Sequence, residues 1–565
     1  MNFRIIIILL YTFITFGEFN YGFAKNNNFN YNARNLSNYF SAVVSFDNSE
    51  YQDSQKFFKK IQDLEKINSN HSSTHIQTLI NLGKIKEALH YARILENNNK
   101  SNYESRLILG LNEFNKDNFN KAKTFFEKMP QSYEHRMVFN VLKASLISWT
   151  NLKTMKEENG IKLIKKIPER YKNFKTIQIL FAHCYYQSLK VDENFKIILN
   201  KNDFNFSRYN FFYSNYYFNK KNVTKSLEII NKAVKENPNN LLINQFKKTL
   251  VENEKNYNKF NCNKKSDILA EIFYVIANAL STQGNYKLSN FYISLSKYLN
   301  PDFLSYNSLL AENYFILDKY KVSTKFFKKL SNYGSVYKWY ADKQISFILE
   351  YQKKEVEAIK FLTESYEKIN PSFYQTYDYA NFLKNREKFE ESIKLYSEIL
   401  SKINSNHPLY SKVLDKRGTA YERLNKWNLA EKDLQNSLKS SPDEPYVMNY
   451  LAYTWIEKGE NLDKALKMLK KANELKTNDG YITDSLGWAL YKLNRFSEAK
   501  EYLKLAIILM PTDPIVNDHF ADCLWKNGEK IQARYYWNYV LKLESTEEEM
   551  KKIIENKLIF GLDNS

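Results

Sequence analysis

The sequence predicts an all-α solenoid, a right-handed superhelix of stacked antiparallel helix hairpins, because certain residues recur at fixed spacings. Gly487 is a small residue in an apolar helical run, and the small residue Ala499 and the bulky residue Leu503 follow it at offsets of 12 and 16. The next copy begins at Ala521 and keeps the same offsets. Small residues let two helices approach closely, and a regular recurrence of this kind is typical of helical repeat arrays.

The small residues of the first helices, called reference residues below, recur along most of the chain. From Ile268 onward they recur at intervals of about 34 residues, except for one longer interval that contains the loop SKINSNHPL. These reference residues are Ala277, Ala311, Ser346, Ala380, Gly418, Ala452, Gly487 and Ala521. A proline follows four reference residues, Ser214 among them, at an offset of 24. Proline lacks a backbone N–H and so ends the second helix. The spacings predict about 14 repeats.

The intervals between reference residues are regular in one part of the chain and irregular in another, and this difference predicts the domain organisation. The array is degenerate before Pro238, whereas the polar stretch NCNKKSD lies in an irregular segment. The final stretch STEEEMKKIIENKL has a Ser/Thr cap and an acidic first turn, which indicate a terminal capping helix. The predicted segments are a signal peptide (1–24), an N-terminal degenerate array (25–238), an irregular connector (239–267), a C-terminal array (268–543), and a capping helix and tail (544–565).

The segment 1–24 has the pattern of a cleaved secretory signal. Arg4 precedes the mostly apolar run Ile5–Phe16, and Gly22 and Ala24 are small residues at the two positions that a signal peptidase recognises. The apolar run is shorter than the roughly 20 residues that span a membrane. We therefore expect a periplasmic or exported protein, cleaved near Ala24. The alternative is an uncleaved N-terminal anchor.

Charge and cysteine content narrow the function classes. The net charge is +20, but only about a dozen of the 83 basic residues are Arg, the residue that phosphate and guanine recognition favours. Lysines spread over solvated helix faces explain such a charge, so no nucleic-acid partner is predicted.

Cys184, Cys262 and Cys523 form no CxxC pair, and no disulfide framework is predicted. Cys184 and Cys523 are expected to be small buried residues, and Cys262, in a polar stretch, is expected to be the most exposed.

The sequence contains no motif for catalysis. The patterns GxxxxGK[ST], GxSxG and HExxH are absent. His71 and His75 lie four positions apart, which is half of a zinc site, but no third ligand is evident nearby. Repeats account for nearly all of the length, which leaves no space for a hidden catalytic module. We predict no enzyme activity, no cofactor and no metal.

A candidate binding groove is predicted on the first helices. Positions −3, +1 and +4 relative to the reference residue share one helix face. In the last three repeats these positions predict a concave groove of aromatic rings and carboxylates, with the partner-binding residues Asn449, Tyr453, Asp484, Trp488, Tyr491, Asp518, Asp522 and Trp525. Such a groove favours a neutral or basic protein or peptide. The alternative is that these side chains pack between adjacent hairpins, and the capping helix could occupy part of the groove.

Several stretches resemble exported tetratricopeptide repeat (TPR) proteins of alphaproteobacteria. They are EIFYVIANAL (271–280), VMNYLAYTWIEKGENLDKALKMLKKANEL (447–475), DGYITDSLGWALYKLNRFSEA (479–499) and DPIVNDHFADCLWKNGEKIQARYYW (513–537). The resemblance implies a TPR solenoid in the periplasm that binds proteins or peptides, and it implies no reaction. The predicted function is therefore a non-enzymatic TPR scaffold with possible peripheral association with envelope complexes. The alternative is an accessory TPR component of an envelope polysaccharide or outer-membrane export system.

Overall fold

The computed structural model describes residues 33–61, 69–201 and 205–562, so the predicted signal segment lies outside the described residues. Within these ranges the chain forms 30 α-helices and two short 3-10 helices, Leu152–Thr154 and Glu169–Tyr171, and no β-strand. The predicted all-α solenoid is confirmed. The helices form 14 antiparallel pairs, as the spacing predicted, together with two unpaired helices, α13 and α30.

The chain divides into two compact units, residues 1–358 and 359–565. The helices of the first unit are α1 Ala33–Asp47, α2 Tyr51–Phe58, α3 Ser69–Asn81, α4 Ile85–Asn97, α5 Tyr103–Asn115, α6 Phe119–Glu127, α7 Arg136–Asn151, α8 Glu157–Lys165, α9 Lys172–Tyr185, α10 Val191–Leu199, α11 Tyr209–Asn219, α12 Val223–Glu236, α13 Leu241–Val251, α14 Lys265–Thr282, α15 Tyr286–Leu299, α16 Tyr306–Ile316, α17 Tyr320–Leu330 and α18 Ser335–Tyr351. Helix α19, Glu355–Glu367, includes the division between the units.

The second unit contains five complete hairpins and a final single helix. Its helices are α20 Phe373–Lys384, α21 Phe389–Lys402, α22 Tyr410–Arg423, α23 Trp427–Ser440, α24 Pro445–Lys458, α25 Leu462–Leu475, α26 Gly480–Lys492, α27 Phe496–Leu509, α28 Pro514–Lys526, α29 Lys530–Val540 and α30 Glu548–Phe560. The predicted capping helix therefore corresponds to α30.

Each hairpin depends on close packing at its reference residue. A Cβ atom added to Gly487 would lie 2.6 Å from Cγ of Leu503 in the second helix, so no larger side chain fits there without a shift. Ala521 and its partner at offset 12, Ala533, are both 0% exposed. Where the reference residue is Ser214, its hydroxyl instead lies 2.8 Å from the hydroxyl of Ser226 in the second helix.

The turn inside the hairpin has a recurrent feature that the sequence analysis did not predict. The residue seven positions after the reference residue has a positive φ, as at Asp117, Gly284, Asn425, Asn494 and Gly528. Gly, Asn and Asp tolerate this left-handed conformation, which redirects the chain into the second helix.

The predicted connector differs from a simple linker. It contains α13 and then an extended segment whose Phe260 is buried. The carbonyl oxygen of Phe260 accepts hydrogen bonds from the side-chain amides of Asn215, at 2.8 Å, and Asn219, at 2.9 Å. These contacts hold the segment inside the first unit. The two compact units divide at Ala358 and Ile359. A boundary between repeat sub-arrays at residues 239–267 stays a prediction.

A disulfide bond anchors the same segment, and the prediction of no disulfide was wrong. Cys184 of α9 pairs with Cys262, with their Cα atoms 5.6 Å apart and a separation of 78 residues in sequence. Cys262 is 8% exposed, because the extended segment packs against the helices instead of forming a solvated loop. Cys523 is a free, buried cysteine, as predicted.

No helix in the described ranges combines the length and the apolar character that crossing a membrane requires.

Removing the disulfide should destabilise the first unit. For a closed loop of this length we expect Cys262→Ala to lower the free energy of unfolding by about 2–4 kcal/mol, measured by urea denaturation without reductant. Adding reductant should destabilise the wild type to a similar degree and leave Cys262→Ala unchanged. Cys523→Ala is the control and should retain the sensitivity to reductant. Free thiols at both Cys184 and Cys262 in protein purified from its native source without reductant would contradict the pairing.

Candidate partner-binding face of the C-terminal repeats

The predicted groove residues lie on three successive first helices, α24, α26 and α28. Local sequence fixes where two of these helices begin. The Asp479 carboxylate accepts a hydrogen bond from the backbone N–H of Ile482, and the Asp513 carboxylate accepts from those of Ile515 and Val516. Such caps satisfy N–H groups that have no partner in the helix itself and thereby set the register of the face that follows.

Asp484 and Trp488 of α26 contact His519 of α28. The Asp484 carboxylate lies 2.9 Å from Nδ1 of His519, and the Trp488 ring stacks on the imidazole with ring centroids 3.9 Å apart. The indole N–H of Trp488 also donates to Glu457 at 2.6 Å. Burial alone would lower the pKa of His519, but the Asp484 charge and hydrogen bond outweigh it, so the pKa is raised. The contacts of this cluster join the three repeats that contain α24, α26 and α28.

Asp518 and Asp522 of α28 enclose the ammonium group of Lys557 from α30. The Lys557 nitrogen lies 2.7 and 2.8 Å from the two Asp518 oxygens, and 2.9 and 2.8 Å from the two Asp522 oxygens. The indole N–H of Trp537 donates to Asp522 at 3.0 Å. Burial, together with the adjacent Asp518 charge, raises the pKa of Asp522 to about 6, although Lys557 opposes the shift.

The two clusters use equivalent positions. In each, the residues at −3 and +1 of one first helix contact a single basic side chain of the next, His519 in α28 or Lys557 in α30. Helix α30 thus lies where the first helix of a further repeat would lie, and Trp525 packs against Gly561 just after it. Asp484 and Trp488 therefore contact the adjacent repeat, whereas Asp518, Asp522 and Trp525 contact α30 or the residue just after it. Partner binding by these residues stays a prediction.

The other three predicted residues are only half-buried. Asn449 and Tyr453 lie on α24, and the ring of Tyr491 stacks on Trp488 with centroids 4.6 Å apart. Burial raises the pKa of Tyr453 and of Tyr491 above the usual tyrosine range. The side-chain oxygen of Asn449 and one carboxylate oxygen of Asp484 are buried and accept no hydrogen bond within the described part of the chain. Unpaired buried oxygens are uncommon, and these two lie below the surface of the face.

An exposed row on the same helices was missed by the sequence analysis. Tyr446, Tyr481 and Ile515 are 55%, 61% and 53% exposed. Each precedes a reference residue by six positions and the +1 residue by seven, and an offset of seven returns to the same helix face. We call these three residues the exposed row. Their recurrence at the repeat period was the signal that could have identified them.

His71 and His75, which the sequence analysis weighed as half of a zinc site, lie in the core of the first hairpins. Their rings stack with centroids 6.1 Å apart, and Phe58 lies against both. Burial lowers the pKa of His71 to about 4 and that of His75 to about 3. Both imidazoles are therefore neutral in the folded protein at neutral pH.

Comparisons with known proteins agree with the repeat type. Residues 319–546 match the tetratricopeptide repeat family. A TPR repeat-containing protein of Pseudomonas aeruginosa is 28% identical over 132 residues, which are 23% of this chain and 22% of that protein. The chain thus matches less than a quarter of the length of this curated relative.

Solved structures resemble parts of the fold at low similarity. The structure of MamA AMB-1 is 22% identical with a TM-score of 0.27, and the match covers 30% of this chain and 99% of that chain. The APC/C hetero-tetramer Cut9–Hcn1 is 13% identical with a TM-score of 0.34, covering 94% of this chain and 90% of that chain. At these TM-scores the likeness carries no functional argument.

Removing the Lys557 ammonium should destabilise the C-terminal repeats. Lys557→Met leaves the buried Asp522 carboxylate and the partly buried Asp518 carboxylate without their counter-charge. We therefore expect a loss of about 3 kcal/mol in the free energy of unfolding, measured by urea denaturation. Adding Asp518→Asn and Asp522→Asn should recover most of that loss. Lys551→Met removes only an exposed pair on the same helix and should cost under about 0.5 kcal/mol. An equal loss in both lysine variants would contradict the assigned role.

The two buried histidines should make the N-terminal repeats sensitive to acid. Their pKa values are lowered in the folded state, so the unfolded chain gains protons first and stability falls as the pH drops from about 6.5 towards 4. At pH 5 each histidine should cost up to about 2 kcal/mol. His75→Leu should reduce the difference between urea denaturation at pH 7.5 and pH 5, whereas the exposed control His90→Leu should not. An unchanged pH difference in His75→Leu would refute the assignment.

Proposed function

We propose that this protein is a non-enzymatic, exported TPR-type scaffold that binds a protein or peptide partner on the face formed by α24, α26 and α28. The observation that carries the proposal is the exposed row of Tyr446, Tyr481 and Ile515 on that face. Exposed large side chains aligned on successive elements mark interaction sites more often than single scattered ones do. Tyrosine also buries much area at small entropic cost.

The groups around the exposed row define the chemistry of the partner. The Asp479 carboxylate lies beside Tyr446, and its negative charge favours a donor such as a peptide N–H or a basic side chain. The Tyr446 hydroxyl already donates to Asp479 at 2.9 Å, so this carboxylate acts as an acceptor beside the row. We therefore infer a neutral or basic partner with apolar side chains for the row, as the sequence pattern suggested.

Two observations support export to the periplasm or beyond. The first is the signal-like pattern that ends near Ala24. The second is the Cys184–Cys262 disulfide, because disulfides persist in oxidising compartments such as the bacterial periplasm. Fusing residues 1–32 to a reporter that is active only after export tests this part of the proposal. An inactive reporter fusion that is stably produced would refute it.

Site-specific photo-crosslinking tests the binding face. A photoreactive phenylalanine analogue at Tyr481 should crosslink a partner in the native envelope, whereas the same analogue at Tyr535, which is 67% exposed on α29, should not. Tyr481→Glu should weaken recovery of that partner at least tenfold because it places a charge in the apolar contact, and Tyr535→Glu should leave it unchanged. Equal crosslinking from both positions would exclude the proposed face. The identity of the partner decides between a general scaffold and an accessory subunit of an export system.

A further inference from the structure

A cluster of three potential metal ligands lies in the first unit, far in sequence from the proposed binding face. Glu104 belongs to α5, and Glu134 and His135 immediately precede α7. One ligand atom from each of the three side chains lies within 4.8 Å of the others. Glu104 is 1% exposed and His135 is 0% exposed, whereas Glu134 reaches the surface. The cluster is therefore a buried pair with one exposed carboxylate at its entrance.

The contacts of His135 direct one nitrogen at the cluster. Its Nδ1 lies 2.7 Å from the hydroxyl of Tyr292, which in turn lies 2.9 Å from the hydroxyl of Tyr103. When Nδ1–H donates to Tyr292, Nε2 presents its lone pair to the Glu104 carboxylate oxygen 2.9 Å away. Two lone pairs at this separation repel each other unless a proton or a metal cation lies between them. A metal-bound histidine commonly donates its other N–H to an oxygen in this way.

The carboxylates of Glu104 and Glu134 lie close together without a neighbouring Lys or Arg side chain in the described part of the chain. The side-chain amide of Gln77 donates to both, at 3.0 Å to Glu104 and 2.8 Å to Glu134. Neither carboxylate has a Lys or Arg nitrogen within 4.0 Å in the described part of a chain that contains 83 such residues. Two adjacent carboxylates, one of them buried, are thus balanced by at most one imidazolium. A divalent cation would compensate both charges.

We propose that Glu104, Glu134 and His135 bind a divalent transition cation of the Zn²⁺ type, through one oxygen of each carboxylate and Nε2 of the imidazole. One nitrogen and two oxygens suit Zn²⁺ better than Mg²⁺ or Ca²⁺, which prefer oxygen ligands alone. Zn²⁺ lies about 2.0–2.2 Å from such ligands, so they are separated by roughly 3.3 Å around it. The pair formed by Glu104 and His135 already approaches that spacing. A side-chain rotation of the exposed Glu134, which is hydrogen-bonded to Gln77, would bring its carboxylate closer.

A cation at this site would stabilise the first unit. The His135 contact to Tyr292 connects the start of α7 to α15, which is 157 residues further along the chain. Gln77 lies on α3 and Glu104 lies on α5, so the contacts of the cluster connect four helices, α3, α5, α7 and α15. The bound ion would fix the orientation of all four, and its role would be structural because His135 and Glu104 are inaccessible to a substrate.

Metal titration of the full chain tests the proposal. After treatment with EDTA and dialysis, we expect one Zn²⁺ per chain by isothermal titration calorimetry and elemental analysis, together with a higher melting temperature when Zn²⁺ is added. Mg²⁺ at the same concentration should produce neither effect. Glu134→Gln should weaken Zn²⁺ binding at least tenfold. Its side chain is exposed, so this variant is expected to fold.

A second set of variants separates this cluster from other histidines. His135→Gln should abolish the binding, and the exposed control His90→Gln should not change it. Absence of saturable Zn²⁺ binding, or binding that Glu134→Gln leaves unchanged, overturns the proposal. Binding that is lost in His75→Asn but retained in Glu134→Gln would also overturn it, because the site would then lie at His71 and His75.

Discussion

The close approach of two helices at each reference residue is the interaction on which the remaining structure depends. Gly487 contacts Leu503 at a distance that admits no larger side chain, and Ala521 occupies the equivalent place in the next hairpin. A single hairpin cannot bury its apolar faces alone, so the hairpins stack and bury them against each other. Once the stacking distance is fixed, the residues at −3 and +1 reach the next first helix, where they meet His519 or Lys557.

Local periodicity explains why most of the fold was predictable from the sequence. The hairpins and their number depend on spacings within one repeat length, and the final helix α30 depends on the composition of one local stretch; the sequence displays both directly. The disulfide and the path of the connector depend on contacts between Cys184 and Cys262, which are 78 residues apart and lie in the degenerate part of the array. No spacing rule reports such a contact, because it is set by the three-dimensional path of the chain.

The candidate site was predictable only in part, for a similar reason. Helical spacing places Asp484 and Trp488 on one face, but whether a neighbouring helix covers that face depends on how successive first helices lie against each other. The exposed row was not predicted, although it lies on the same helices. Tyr481 stays accessible because it lies nearer the start of its helix than Asp484 and Trp488 do. In the first unit, a segment of the chain itself covers the corresponding face of α11. There the side-chain amides of Asn215 and Asn219 donate hydrogen bonds to the carbonyl oxygen of Phe260. Within the described ranges, no such segment covers the exposed row.

The order of the cysteines along the chain bears on how the protein matures. A chain that crosses a membrane with its N-terminus first presents Cys184, then Cys262, and only later Cys523. If the protein is exported as proposed, pairing in order of emergence would form the native bond directly, before a third thiol is present to compete for it. Thiol–disulfide exchange to correct a wrong pairing is then unnecessary. Cys523 becomes buried as its own hairpin folds, which protects the finished bond from later attack.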